Sequence, residues 1–180
     1  MSDKIQATTV LAAPIESGEF ETMQRMVKAL VASGYFDDVK SAAQGITKAL
    51  IGRDLGVPVA VSLMDIDVIK GKPNLSASLM GAMIKKSGKY DFRPKKGPEE
   101  EPSKWHSSTC VCLEFYQRID GKWEMIGESS FTMADAEKAG LSKNQNYRSY
   151  PRNMLYARAL SNGAKWFCPD IFLGAVYSPE

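Results

Sequence analysis

Apolar residues at helical spacing predict two helices in the first third of the chain. The first begins with Ser17 as its N-cap and ends before Gly34, and the second runs from Asp38 to Leu55. Their apolar stripes are Phe20, Met23, Val27, Leu30 and Val31 in the first helix, and Val39, Ala42, Ile46, Ala49 and Leu50 in the second. Residues 1–15, which precede both helices, are predicted to form a poorly ordered lead-in.

The pattern changes to alternation between Val59 and Ile69, where β-branched and other strand-forming residues predict a strand. The sequence Lys70-Gly71-Lys72-Pro73 then predicts a turn. A third helix follows, capped by Asn74 or Ser76 and ended by Gly88. One face of this helix consists of Leu75, Leu79, Met80, Met83 and Ile84.

An Asp-Gly pair at 120–121 gives the clearest hairpin signal in the chain. It separates two runs of strand-forming residues, Thr109 to Ile119 and Lys122 to Phe131. Directly after the second run, Thr132 and Asp135 have the spacing of a capping box, which predicts a short helix. The sequence therefore predicts a strand, a tight turn, a second strand and a helix in this order.

The last predicted helix begins with Pro151 at its first position and stops before Pro169. Residues 141–150 are predicted to be a polar loop before this helix, and residues 94–108 a mobile, proline-containing loop. Apolar residues of the tail are expected to pack, namely Ile171, Phe172, Leu173, Val176 and Tyr177. The order of elements predicts one α+β domain over residues 16–180, in which a small antiparallel sheet of β-hairpins packs with helices.

Composition limits the cellular context. A chain of 180 residues, 44% of them hydrophobic, is long enough to bury a core. No apolar run approaches the ~20 residues that span a bilayer, and the N-terminal segment lacks the features of a secretory signal. Three cysteines fit free thiols in a reducing compartment better than a disulfide framework. These features predict a cytoplasmic protein that does not contact the membrane.

The formal net charge of +2 hides a strong segregation of charge. The first basic block, Lys70–Lys96, has eight basic residues against Asp91 alone, and the second basic block, Lys138–Pro169, has six and no acid. The blocks therefore carry +7 and +6, which leaves −11 for the rest of the chain. If the blocks meet in space, they form a positive surface suited to a polyanion; the alternative is two solvated faces that never meet.

Several kinds of chemistry have little support in the sequence. His106 is the single histidine, so histidine-based triads and multi-histidine metal sites are nearly excluded. Cys110 and Cys112 would share a strand face, but two ligands do not make a structural zinc site. Neither a P-loop nor a dinucleotide-binding glycine motif occurs. Asp65 and Asp67 could offer paired carboxylates to a metal, but the sequence favours outward-facing residues at a strand end.

Tyrosines alternate with arginines in the second basic block. Tyr147, Tyr150 and Tyr156 lie among Arg148, Arg152 and Arg158. Basic groups neutralise phosphates, and aromatic faces stack on bases, which together suits a single strand bound without sequence preference. The alternative is that Tyr150, Tyr156 and Trp166 are core aromatics; this interpretation is preferred for Trp166, and the binding interpretation for Tyr147 and Arg152.

Six segments, in order and at similar spacing, resemble the phage-type RecT family of single-strand annealing proteins. The segments are IGRDLGVP (51–58), IDVIKGKPNLS (66–76), AMIKKSGKY (82–90), FTMADAEKAGL (131–141), YPRNMLYARA (150–159) and PDIFLGAVY (169–177). The resemblance extends roughly from Ala42 to Glu180. Tyr147 stands where many relatives have tryptophan, and Asn153 where many have a second basic residue. Longer relatives continue into a C-terminal region implicated in partner binding.

The resemblance implies a RecT/Redβ-like fold and a protein that is not an enzyme. It implies ATP-independent coating and annealing of single-stranded DNA, with no cofactor and with Mg²⁺ only modulating annealing. The implied partners are single-stranded DNA, the annealed duplex intermediate, further copies of the chain in a ring or helical filament, a phage 5′→3′ exonuclease and a host single-strand-binding protein. The implied setting is the cytoplasm of a bacterial host carrying a phage or prophage.

The predicted DNA-binding residues come from both basic blocks. They are Lys72, Lys85, Lys86, Lys89, Arg93, Tyr147, Arg148, Arg152, Asn153 and Arg158. Arg152 is the strongest choice because it lies beside Pro151 at a predicted helix start, where free backbone N–H groups can hold a phosphate. Arg158 has a second interpretation as a buried structural ion. One competing interpretation is a single-strand-binding accessory protein that does not anneal DNA. A more distant one is a metal-dependent nuclease that uses Asp65 and Asp67.

Overall fold

The computed structural model describes residues 14–36, 38–95 and 107–172. The chain divides into two compact units, Met1–Ile66 and Asp67–Glu180. The lead-in predicted at 1–15 and the loop predicted at 94–108 lie mostly outside the described residues, as do His106, Lys96 and the tail residues Leu173, Val176 and Tyr177.

The described part of the first unit contains three helices, α1 (Ser17–Ala32), α2 (Ala42–Asp54) and α3 (Val59–Asp65). Met23, Val27 and Ala49 form its buried core. The predicted helices α1 and α2 are confirmed, with small changes at their ends. Glu16 rather than Ser17 is the N-cap of α1, and the Ser41 side chain, which accepts a hydrogen bond from the Gln44 N–H, caps α2.

The strand predicted from Val59 to Ile69 is wrong over most of its length, because Val59–Asp65 is helical. Its buried residues are Ser62 and Leu63, and the next buried residue is Ile66. This spacing of buried positions is typical of a helix and differs from the alternation of a strand. A Cβ atom at Gly52 would lie 1.8 Å from Ser62 Oγ, so this glycine lets α2 and α3 approach closely. Helix packing thus overrides the strand preference of the β-branched residues.

The second unit begins with a short hairpin. Strands β1 (Ile66–Ile69) and β2 (Lys72–Leu75) pair with each other, and Lys70 and Gly71 form the turn with φ of 51° and 77°. Two successive positive φ angles are typical of a type I′ turn. Helix α4 (Ala77–Ser87) follows; the Ser76 hydroxyl caps it, and Gly88 ends it in the left-handed region, as predicted.

A three-stranded antiparallel sheet forms the centre of the second unit, in the order β3-β4-β5. Strand β3 is Tyr90–Pro94, β4 is Cys110–Ile119 and β5 is Lys122–Thr132. The β4–β5 hairpin is confirmed, with Asp120 and Gly121 at positive φ. The sequence interpretation missed β3, whose few apolar residues alternate with charged ones, although Phe92 pairs with Phe115 across the sheet.

The segment between β5 and the last helix consists mostly of short helical elements. It contains α5 (Met133–Lys138), a 3₁₀ turn (Leu141–Lys143) and α6 (Gln145–Ser149). The predicted capping box of Thr132 and Asp135 is present at the start of α5. The polar loop predicted at 141–150 is therefore wrong, because the Asn144 side chain caps α6 and Tyr147 anchors it in the interior.

The final elements are α7 (Pro151–Phe167), which has Pro151 at its first turn as predicted, and a 3₁₀ turn (Pro169–Phe172). Glycines bring α7 onto the sheet and onto α4. A Cβ at Gly163 would lie 2.1 Å from the Phe115 ring, and one at Gly127 would lie 2.3 Å from the Phe167 ring. Leu160 contacts Gly81 of α4 in the same way. The described fold is α+β, with helices on one face of an antiparallel sheet.

Candidate nucleic-acid interface

Both basic blocks lie in the second unit. The first block extends over the β1–β2 turn, α4 and β3, and the second over α5, α6 and α7. Because Leu160 of α7 packs against Gly81 of α4, the helices that carry the two blocks are neighbours. The blocks differ, however, in what their cationic groups contact.

Asp91 anchors two of the predicted binding residues in the first block. Lys85 Nζ pairs with Asp91 Oδ1, and Arg93 Nε donates to Asp91 Oδ2 at 3.1 Å. Lys85 also donates to the Phe92 carbonyl at 3.0 Å and lies over the Phe92 ring. Burial opposes ionisation of Asp91, but the hydrogen bonds from Lys85 and Arg93 outweigh it and keep its pKa below the usual value. The ammonium group of Lys85 is thus held by contacts within the protein.

A third cation of the first block pairs with a residue far along the chain. Lys89 Nζ donates to Asp170 Oδ2 at 2.5 Å and lies 4.9 Å from the centroid of the Tyr90 ring. The hydrogen bond to Asp170 is the main reason that the pKa of Lys89 is raised. Asp170 follows directly after the acid-free second block, so a count within either block misses this pairing.

Acids lie beside the cations on the sheet face that carries Arg93, Glu114 and Glu128 as cross-strand neighbours. Arg93 stacks on Tyr116, whose hydroxyl donates to Glu114 at 2.6 Å. Lys95 Nζ donates to both carboxylate oxygens of Glu128 at 2.7 Å. Together with Asp91, these acids offset the charges of Arg93 and Lys95. Of the other residues predicted in the first block, Lys72 and Lys86 are exposed.

The start of α7 presents a different arrangement. Arg148, Arg152 and Asn153 are exposed, and in the described part of the chain neither arginine takes part in an ion pair. Tyr150, between the two arginines, is 63% exposed and is the N-cap of α7 without a side-chain cap hydrogen bond. This end of the helix therefore combines two guanidinium groups that no described carboxylate neutralises, an accessible ring and the positive end of a helix dipole.

Two aromatic assignments need correction. Tyr147, predicted as a binding residue, is only 2% exposed, so its ring cannot stack on a base in this conformation. Its hydroxyl is buried and has no hydrogen-bond partner among the described residues. Trp166, predicted to be a core residue, is 61% exposed. The reason in both cases is the interior position of α6 and the direction of α7, which local spacing did not specify.

Arg158 is half-buried on α7, and no described residue forms an ion pair with it. The described part of the chain therefore offers no ionic partner for the second interpretation of Arg158, a buried structural ion. Lys165, seven residues later, is half-buried too, and sequence reasoning left it out of the site. The spacing of seven residues, which is about two turns of helix, places Lys165 on the same helix face as Arg158 and could have pointed to it.

The thiols and carboxylates offer little reactive chemistry. Burial raises the pKa of Cys112 to about 11, with Glu128 adding to the effect, and burial also raises the pKa of Cys110. Within the described ranges, no group of three or more His, Cys, Asp or Glu side chains is arranged to hold a metal. Asp65 ends α3 and Asp67 lies in β1. None of the described helices is both long and apolar enough to cross a membrane.

No family model matches this chain, and neither the curated proteins nor the solved structures show a significant match to it.

Proposed function

We propose that this chain binds single-stranded DNA without sequence preference and anneals complementary strands without ATP, as the resemblance to the RecT family implies. The proposal rests on the exposed surface at the start of α7, formed by Arg148, Tyr150, Arg152 and Asn153, whose two arginines form no ion pair with any described residue. Each arginine can neutralise a phosphate, and Tyr150 can stack on a base. We call this surface the α7 entry site.

Annealing by such a protein requires no catalytic step. A strand held through its phosphates keeps its base edges available, and base pairing with stacking supplies the free energy of duplex formation. The proposed assembly is a homo-oligomer, ring or filament, that coats DNA in the cytoplasm of a bacterial host. The proposed supply of DNA is a 5′→3′ exonuclease, and a host single-strand-binding protein is the proposed neighbour on the strand.

The two basic blocks have different roles in this proposal. The α7 entry site makes the main phosphate contacts, because its arginines form no ion pair with a carboxylate of the described residues. Lys89 and Arg93 contribute less, since a phosphate must compete with Asp170 or Asp91 for them. Lys85 contributes least, because Asp91 and the Phe92 carbonyl already hold its ammonium group.

The test is the affinity for several unrelated single-stranded oligonucleotides as a function of salt. Arg152→Ala is expected to weaken binding to all sequences alike and to reduce the salt slope by about 0.7 per lost contact. Lys143→Ala, an exposed lysine of the second block outside the α7 entry site, is the matched control. Salt-independent binding, or equal loss in both variants, would contradict the site assignment.

The competing function is an accessory protein that protects single strands without annealing them. Both proteins would bind the oligonucleotides, so binding alone does not separate them. Mixing complementary strands does, because an accessory protein slows pairing and an annealing protein accelerates it. Incubating labelled DNA with Mg²⁺ tests the nuclease alternative by the appearance of cleavage products.

A further inference from the structure

Two cations on α7 are half-buried and have no counter-ion among the residues that the structure describes. Arg158 and Lys165 are seven residues apart, which places them on one face of the helix about 10 Å apart along its axis. The whole stretch from 138 to 169 contains no acid, and no described residue forms an ion pair with either side chain. Asn162 lies between them on the same face and is half-buried as well.

Another lysine of this chain is buried, and its contacts show how the fold compensates such a cation. Lys48, which is 5% exposed, pairs with Asp38 and donates to the Leu63 carbonyl at 3.1 Å. A carboxylate and a carbonyl thus compensate its ammonium group for lost water. Lys85 has the same two kinds of partner, Asp91 and the Phe92 carbonyl, although its side chain is 51% exposed. Lys165 has neither kind of partner among the described residues.

An uncompensated, half-buried cation costs stability in the free protein. Burial lowers the pKa of Lys165, and the nearby charge of Arg158 lowers it further. A lysine that served only the fold would gain from a partner or from full exposure. A bound anion would compensate both cations at once, so the two half-buried charges favour anion binding.

We propose that Arg158, Asn162 and Lys165 form a subsite on α7 for phosphates of a nucleic-acid backbone, which we call the α7 stripe. This inference rests on the proposed function and extends it by adding Lys165 and Asn162 as contact residues. Each cation can engage a phosphate of the same strand, and the Asn162 amide can donate a hydrogen bond between them. The stripe lets one strand follow the length of α7 rather than contact its first turn alone.

The deciding variants are Lys165→Met, which keeps the apolar stem and removes the charge, and Lys165→Arg, which keeps the charge. Lys122→Met is the matched control, because Lys122 is an exposed lysine at the start of β5. Each variant is tested as the full chain for binding of single-stranded oligonucleotides between 50 and 200 mM salt, on the order of the usual range for such titrations. Thermal unfolding of the free protein is measured in parallel.

The proposal predicts opposite changes in the two measurements. Lys165→Met should raise the Tm of the free protein, weaken DNA binding and lower the salt slope by about 0.7. Lys165→Arg should keep the binding and the slope, and Lys122→Met should change neither quantity. A purely structural lysine would not give a more stable protein that binds less.

Three results would overturn the α7 stripe. If Lys165→Met keeps the wild-type affinity and slope while Arg152→Ala loses them, the stripe is wrong and the α7 entry site stands. If Lys165→Met lowers the Tm of the free protein, the cation serves the fold. If the wild-type protein does not bind single-stranded DNA, the proposed function fails, and the stripe fails with it.

Discussion

The first and second basic blocks contain similar numbers of cations but present them differently. In the first block, Asp91 holds Lys85 and Arg93, and Asp170 holds Lys89. In the second block, no described residue forms an ion pair with Arg148, Arg152, Arg158 or Lys165. Charge counted along a sequence is therefore a poor measure of the charge offered to a ligand. The two blocks should therefore respond differently when their charges are removed.

Removing two charges from each block should give very different losses of DNA affinity. The Arg148→Ala/Arg152→Ala double variant should bind single-stranded DNA roughly 100-fold more weakly, at about tenfold for each charge-assisted contact. The Lys85→Met/Lys89→Met double variant should lose less than about tenfold, because both cations already have carboxylate partners. Fluorescence anisotropy at one fixed salt concentration measures both losses. Equal losses would show that the ion pairs of the first block do not limit binding.

Asp91→Asn should affect stability more than it affects binding. The change weakens hydrogen bonds from Lys85 and Arg93 to a carboxylate whose side chain is only 14% exposed, and it should lower the free energy of unfolding by about 1–3 kcal/mol. Urea denaturation gives this value. Glu124→Gln, at an exposed position of β5, is the control and should stay within about 0.5 kcal/mol of wild type. An unchanged free energy of unfolding in Asp91→Asn would mean that the ion pairs of Asp91 with Lys85 and Arg93 do not stabilise the fold.

Protonation of Asp91 and Asp170 at low pH should remove the stabilisation that their ion pairs provide. The pKa values of Asp91 and Asp170 are lowered in the fold, so both carboxylates contribute stability above the ordinary aspartate pKa, about 3.9. That contribution is lost as the pH falls from this value through the lower pKa values of the folded state. The difference in unfolding free energy between wild type and Asp91→Asn should therefore shrink below about pH 4. Urea denaturation at a series of pH values measures it, and a constant difference down to pH 2, roughly the low end of the window, contradicts the prediction.

Asp170→Asn should give the smallest effect, in the opposite direction. Both side chains of the Lys89–Asp170 pair are nearly half exposed, and such pairs contribute about 0–1 kcal/mol to stability. Releasing Lys89 should raise the DNA affinity a few-fold and steepen the salt slope by up to about 0.7. The control is Glu137→Gln on α5, whose carboxylate is exposed. A decrease in affinity would show that Asp170 positions Lys89 instead of competing for it.

Local signals predicted the elements whose ends are marked by specific residues. Ser76 caps the start of α4 and Gly88 ends it. Asp120 and Gly121 form the turn of the β4–β5 hairpin, and Pro151 begins α7. Each of these signals acts within a few residues of its own position, so no tertiary information was needed.

The errors arose where distant contacts decide the structure. Val59–Asp65 forms a helix because Gly52 allows close packing against Ser62, which alternation of β-branched residues does not reveal. Lys89 and Asp170 are 81 residues apart, so the neutralisation of the first block was invisible in a count along the chain. Tyr147 was predicted from its arginine neighbours, yet it is buried.

The rate of strand annealing is the decisive measurement for the proposal that the chain anneals DNA without ATP. Two complementary oligonucleotides are mixed with and without the protein in the absence of ATP, at low and at high salt. We expect faster annealing with the wild-type protein, loss of the acceleration at high salt, and little acceleration by the Arg148→Ala/Arg152→Ala variant. Binding of both strands without any acceleration at low salt would rule out annealing and would favour a single-strand-binding accessory protein.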